Sequence, residues 1–159
     1  MQTAEVLLVH GLTGKAKDME PLARYLSGRG YSTTVFSYPS TRITVEQAAD
    51  RLAKKVKRLA EGGRVHLVAH SLGTLLIRMV ARDHGAGLFA RVVLLAPPSR
   101  GTPLVEPFLD RWWFSKVYGP AGKSLSTRET GVAADLGPVP FPCAVIAGTK
   151  SLTRIIHEA

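Results

Sequence analysis

The chain has 159 residues, 45% hydrophobic and 21% charged, with a formal net charge of +9. Those proportions are ordinary for a folded domain, so disorder is not the expectation, and a chain of this length buries roughly 68–70% of its unfolded surface without staples. A lone cysteine, Cys143, rules out an internal disulfide, and five histidines without paired ligand spacing point to no metal cluster.

The chain opens on Met1–Glu5 with neither a basic leader nor a small-residue cleavage site, so a cytoplasmic location is expected. No apolar run is long enough to span a bilayer as a helix. Ala4–His10 reads as the first strand. Met19, Leu22, Ala23 and Leu26 mark a first helix, with Asp18 as N-cap, Pro21 in its first turn and Gly28 or Gly30 as its stop. Ser32–Tyr38 is the second strand. The second helix carries an apolar stripe from Val45 through Ala48, Ala49, Leu52, Ala53 and Val56 to Ala60. Its other face holds Arg51, Lys54, Lys55, Lys57 and Arg58, a run that would suit an anionic surface or simply face solvent. Glu46, Asp50 and Glu61 dilute it and no nucleic-acid motif accompanies it, so solvent is the expectation and nucleic acid is not an expected partner.

Arg64–His70 is the third strand, and Leu72, Leu75, Leu76, Met79 and Val80 mark a third helix. Arg91–Ala96 and Phe141–Gly148 complete the strands. The runs VLLV, VVLLA and CAVIA are continuous enough to predict strands covered on both faces, with Cys143 as a buried thiol. Eight of the ten prolines lie from Pro97 onward, so residues 97–140 read as one irregular, lid-like insertion between the fourth and fifth strands. Strand–helix alternation at this spacing predicts an α/β fold: one domain over 1–159, a parallel sheet of about five strands, and helices on both faces.

The sharpest local pattern is Val68-Ala69-His70-Ser71-Leu72-Gly73, where an apolar strand meets an amphipathic helix. This is the strand–turn–helix setting of a G-x-S-x-G nucleophile elbow, with Ala69 in the first glycine's place. The helix start would aim the N–H of Leu72 at developing negative charge. Ser71 also has a plain structural reading, as a serine N-cap. A second pattern, His10-Gly11-Leu12-Thr13-Gly14, follows the first strand. In a parallel sheet it lies on the same edge as Ser71, so the N–H of Leu12 is the second candidate oxyanion donor. His10 reads better as a hydrogen-bonded brace for that loop than as a catalytic group.

Together HGLTG and AHSLG resemble small lipase-like members of the α/β-hydrolase superfamily, some of which also carry alanine at the first elbow position. Gly30-Tyr31, Tyr38-Pro39-Ser40, Leu95–Gly101 and Ile146–Thr149 extend the likeness along most of the chain. The resemblance implies a serine esterase or lipase. Ser71 would be the nucleophile on a small-molecule ester or acyl substrate, with Leu12 and Leu72 holding the oxyanion and no cofactor. Trp112, Trp113 and Phe114 would line an acyl pocket or pack the insertion onto the core.

The family's acid and histidine follow later than the residues present here, since the chain stops at Ala159 without an Asp-Gly or a late closing histidine. The expectation is a truncated site, improvised at best from His157 with Glu106 or Asp110. Asp135 precedes a strand, while His66 and His84 fall at the wrong edge. A catalytically inactive module that binds an acyl ligand or a partner chain is the alternative. An unpaired last strand would also favour self-association.

Overall fold

A computed structural model describes residues 4–127 and 131–148, apart from the side chains of Leu104 and Ala134. Its five strands are β1 (Glu5–Val9), β2 (Ser32–Phe36), β3 (Val65–His70), β4 (Phe89–Leu95) and β5 (Cys143–Ile146). They form one sheet in the order β2-β1-β3-β4-β5, every pair parallel. The helices are α1 (Ala16–Ser27), α2 (Val45–Leu59), α3 (Leu72–His84), α4 (Phe114–Lys123) and α5 (Val132–Asp135).

Strand alternation sorts the core into two layers. Leu7, Val9, Leu67, Ala69, Val92 and Leu94 face α2 and α3, whose Leu52, Val56, Leu75, Leu76 and Met79 complete the larger core. Val6 and Leu8 point the other way, onto Met19 and Ala23 of α1. Helices therefore cover both faces around β1, as the α/β pattern predicts. The charges of α2 at Arg51, Lys54, Lys57 and Arg58 are exposed, opposite its buried stripe. No helix among the described residues is long and apolar enough to cross a membrane.

Three expectations need correction. Helix α1 begins earlier than its apolar residues indicated, with Lys15 at the N-cap. Asp18 sits at N3 instead, where its Oδ2 accepts the N–H of Lys15 at 2.7 Å, and Pro21 falls a turn deeper than expected. Cys143 is exposed, not buried. The cause is β5 itself, an edge strand exposed along its whole length, with Val145 and Ile146 57% and 60% accessible. An apolar run reports what a strand can bury, whereas the neighbouring layers decide whether it is covered.

The segment between β4 and β5 is built on short elements: a 3₁₀ turn over Pro103–Phe108, then α4 and α5. One oxygen of Glu106 gathers it, accepting from Ser126 Oγ at 2.9 Å, Thr127 N at 2.6 Å and Thr127 Oγ1 at 2.8 Å. Helix α4 kinks at Gly119 (φ 66°), where any Cβ would run into the Thr41 carbonyl. That contact seats the insertion against the loop after β2. Farther along, buried Arg78 of α3 donates to the Gly137 carbonyl at 2.6 Å, and burial works against its charge.

Candidate active site

Ser71 terminates β3 with φ 49° and ψ −119°, a region that an L-residue enters only under strain. Its side chain makes no capping hydrogen bond to α3. An N-cap serine would have extended φ/ψ and bond to the N2 or N3 amide, so the capping explanation of Ser71 does not hold. Within the first turn, Thr74 donates both its N–H (2.9 Å) and its Oγ1 (2.7 Å) to the Ser71 carbonyl, and the Ser71 hydroxyl takes no part. The Ser71 N–H in turn donates to the Leu95 carbonyl at 3.0 Å, tying the turn to β4.

The HGLTG loop lies against this elbow. A Cβ placed on Gly11 would stand 3.0 Å from Ser71 Cβ and 3.1 Å from His70 Nδ1, so glycine is what lets the two loops approach. The N–H groups of Leu12 and Leu72 take no acceptor among the described residues. Two unpaired amides beside a partly exposed serine are the raw material of an oxyanion site.

His10 is buried and braces the loop. Its Nδ1 lies 2.9 Å from the Gly11 carbonyl, and its Nε2 faces the Tyr38 N–H at 3.4 Å, which puts the ring proton on Nδ1. The Tyr38 ring stacks on it at 4.3 Å, and the Tyr38 hydroxyl donates to the His10 carbonyl at 2.9 Å. Burial pushes the Tyr38 phenol well above its ordinary pKa. Folding thus holds that proton, so the stability it confers is present below about pH 10 and lost above it, by about 1.4 kcal/mol per pH unit. Urea unfolding at pH 9 and pH 11 should show this loss in the wild type and less of it in Tyr38→Phe. The same variant should cost about 1 kcal/mol at neutral pH for the lost hydrogen bond.

Ser71, Leu12, Thr13, His70 and Ala96 floor a cleft of about 580 Å³, walled by Val105, Phe108, Phe114, Tyr118 and Leu125 of the insertion. That is the size of an ordinary small-molecule site. Thr13 (φ 58°), Ser71 and Ala96 (φ 45°) are the non-glycine residues with positive φ among the described residues, and all three line it. Such strain concentrates at functional sites. Ala96 and Thr13 escaped the sequence reading, because nothing in either residue type signals a left-handed backbone.

The other candidates fall elsewhere. Glu106 is engaged within the insertion, and Asp110 is exposed. Asp135 ends α5, ahead of β5. His66 sits near the start of β3 against Tyr31, and His84 ends α3. His157 lies outside the described residues, as does Thr149. No histidine among the described residues hydrogen-bonds the Ser71 hydroxyl. No group of histidine, cysteine, aspartate and glutamate side chains suited to a metal occurs among them either.

Comparison with known proteins agrees with this fold. The chain aligns over 96% of its length with phospholipase PlaB from Legionella pneumophila, at TM-score 0.73 and 16% identity, covering 40% of that chain. It aligns over 94% with the Paleococcus ferrophilus monoacylglycerol lipase, at TM-score 0.69 and 18% identity, covering 76% of it. A carboxyl esterase of metagenomic origin matches at TM-score 0.72 and 19% identity, over 91% of this chain and 48% of that one. At such identities the likeness is one of fold. This chain spans less than half of the phospholipase and of the esterase. No curated protein sequence matches it significantly. The sequence profile of the alpha/beta hydrolase family does match, over residues 6–151. The chain belongs to the alpha/beta hydrolase family.

Proposed function

We propose that this chain carries the nucleophile half of a serine hydrolase that cleaves carboxylic esters through an acyl-enzyme. In this reading the Ser71 hydroxyl attacks the ester carbonyl, the alcohol leaves, and water then releases the acid and regenerates Ser71. The backbone N–H groups of Leu12 and Leu72 hold the tetrahedral oxyanion. The cleft walled by the lid-like insertion takes the acyl group. One observation carries the reading: a strained serine, freed from helix capping, faces an apolar cleft beside two unpaired amides. Structural neighbours named as a phospholipase, a lipase and an esterase support an ester as the substrate class.

A fluorophosphonate tests it, since the reagent phosphonylates an activated serine. Labelling of the natural protein at Ser71 is expected, and a peptide map with Ser71 unmodified would sink the proposal. The absence of a histidine bonded to Ser71 among the described residues favours a second reading, an inactive module that binds an acyl ligand in the same cleft. A fatty acid that binds the cleft of a protein inert to the reagent would select it. The exposed β5 edge adds self-association to the proposal. Sedimentation velocity over a concentration series checks this, with a monomer throughout as the contrary result.

A further inference from the structure

The insertion ends in a tip that the ester-cleaving reading does not use. Trp112 is 77% exposed, Val117 51% and Phe108 41%. Single apolar residues on a surface are ordinary, but these three fall within ten residues of chain. Aromatic contacts lead inward from Phe108: Phe108 to Trp113 at 5.7 Å, Trp113 to Phe114 at 6.4 Å, and Phe114 to Tyr118 at 4.8 Å. Phe108, Phe114 and Tyr118 are also walls of the Ser71 cleft. Phe108 therefore belongs both to the exposed tip and to the cleft wall, with the buried Phe114 ring behind it.

Cations border the same tip. Lys116 Nζ lies 5.1 Å from the centre of the Trp112 ring, and both Arg111 and Lys116 are exposed. Against these two, the stretch 108–117 holds one carboxylate, Asp110. Tryptophan with its polar N–H suits the boundary between water and hydrocarbon, and basic side chains beside it draw toward anionic headgroups. A second copy of the chain is a poor occupant of this tip, because tip-to-tip contact would set Arg111 and Lys116 against the same two cations.

We infer that the Phe108–Val117 tip docks on an anionic phospholipid bilayer. Trp112, Phe108 and Val117 enter the headgroup–acyl boundary, while Arg111 and Lys116 meet the headgroup phosphates. Docking in this way sets the mouth of the cleft at the lipid surface. The inference does not depend on Ser71 chemistry, and the test keeps the two apart.

The test uses vesicles of ether-linked phosphatidylcholine, with or without about one third ether-linked phosphatidylglycerol, which the proposed hydrolysis cannot consume. The protein should sediment with the anionic vesicles, with a blue-shifted tryptophan emission, and should be released by salt. Arg111→Gln/Lys116→Gln should weaken binding roughly thirtyfold at low ionic strength. Trp112→Ala should weaken it and remove most of the blue shift. Lys54→Gln/Lys57→Gln, which takes the same charge from the solvent face of α2, should leave binding unchanged. Equal loss from the α2 pair would reduce the effect to net charge and overturn the inference. So would equal binding to pure phosphatidylcholine, no binding to either vesicle, or a Trp112→Ala effect confined to dissociating a dimer. Fluorophosphonate labelling of Ser71 reports separately on the hydrolase reading.

Discussion

Ser71→Ala should abolish fluorophosphonate labelling while leaving the melting temperature where it was, and Ser71→Gly should abolish labelling while raising it. The two substitutions separate the hydroxyl from the backbone that presents it. Both remove the hydroxyl proposed as the nucleophile, a loss that in a serine hydrolase with a complete triad costs about 10⁶-fold in turnover. They differ at φ 49°, ψ −119°. Alanine keeps a Cβ and therefore keeps the strain, worth about 1–3 kcal/mol for a non-glycine residue in such a region. Glycine relieves it and gives back roughly 0.5–1 kcal/mol through the freer unfolded chain. The difference should be about 1 kcal/mol of net stabilisation, or about 2–4 °C for a domain of this size. A glycine variant less stable than the wild type would mean that the elbow stores no strain.

Gly73→Ala should lower both stability and the reactivity of Ser71, although residue 73 carries no chemistry. A Cβ there would stand 2.8 Å from the His10 carbonyl oxygen, 2.9 Å from the Val9 carbonyl oxygen and 2.9 Å from Val9 Cγ1. Two of these atoms are backbone, so the contact is relieved only if α3 lifts away from β1. Overpacking of this kind costs about 1–3 kcal/mol, a fall of roughly 2–12 °C in melting temperature. The same movement pulls the Leu12 and Leu72 amides apart, and a displacement near 1 Å is enough to cost about 100-fold in rate. Gly87→Ala, with nothing within 4 Å of the new Cβ, is the matched control and should change neither quantity. Calorimetry with labelling kinetics checks both, and an unperturbed Gly73→Ala would show that the elbow does not need its second small residue.

The fold was legible in the chain because its cues are local and repeated. The runs in β1, β3 and β4 alternate with the stripes of α2 and α3, and that alternation admits few arrangements besides a parallel sheet with helices over it. Ser71 and the HGLTG loop were legible as well, since parallel strands deliver their following loops to one edge. The pairing of Val6–Val9 with His66–Ala69 is what sets them side by side. Misreadings occurred where a neighbour decides the outcome. Cys143 sits in a run apolar enough for a core, yet β5 is exposed along its length and no layer among the described residues covers it. Asp18 is a good N-cap by type but serves as the N3 acceptor for Lys15.

The amino-acid order alone therefore established an α/β scaffold, its parallel strands and the serine presented at their edge. These follow from periodicity and from residues whose backbone demands are intrinsic, such as the small Ala69 and Gly73 around the elbow. Contacts between distant segments decided the rest. They stack Tyr38 on His10, hold the insertion through Glu106, and concentrate positive φ at Thr13, Ser71 and Ala96 around one cleft. Strain and packing belong to pairs of surfaces that meet only on folding, so no local window of sequence contains them.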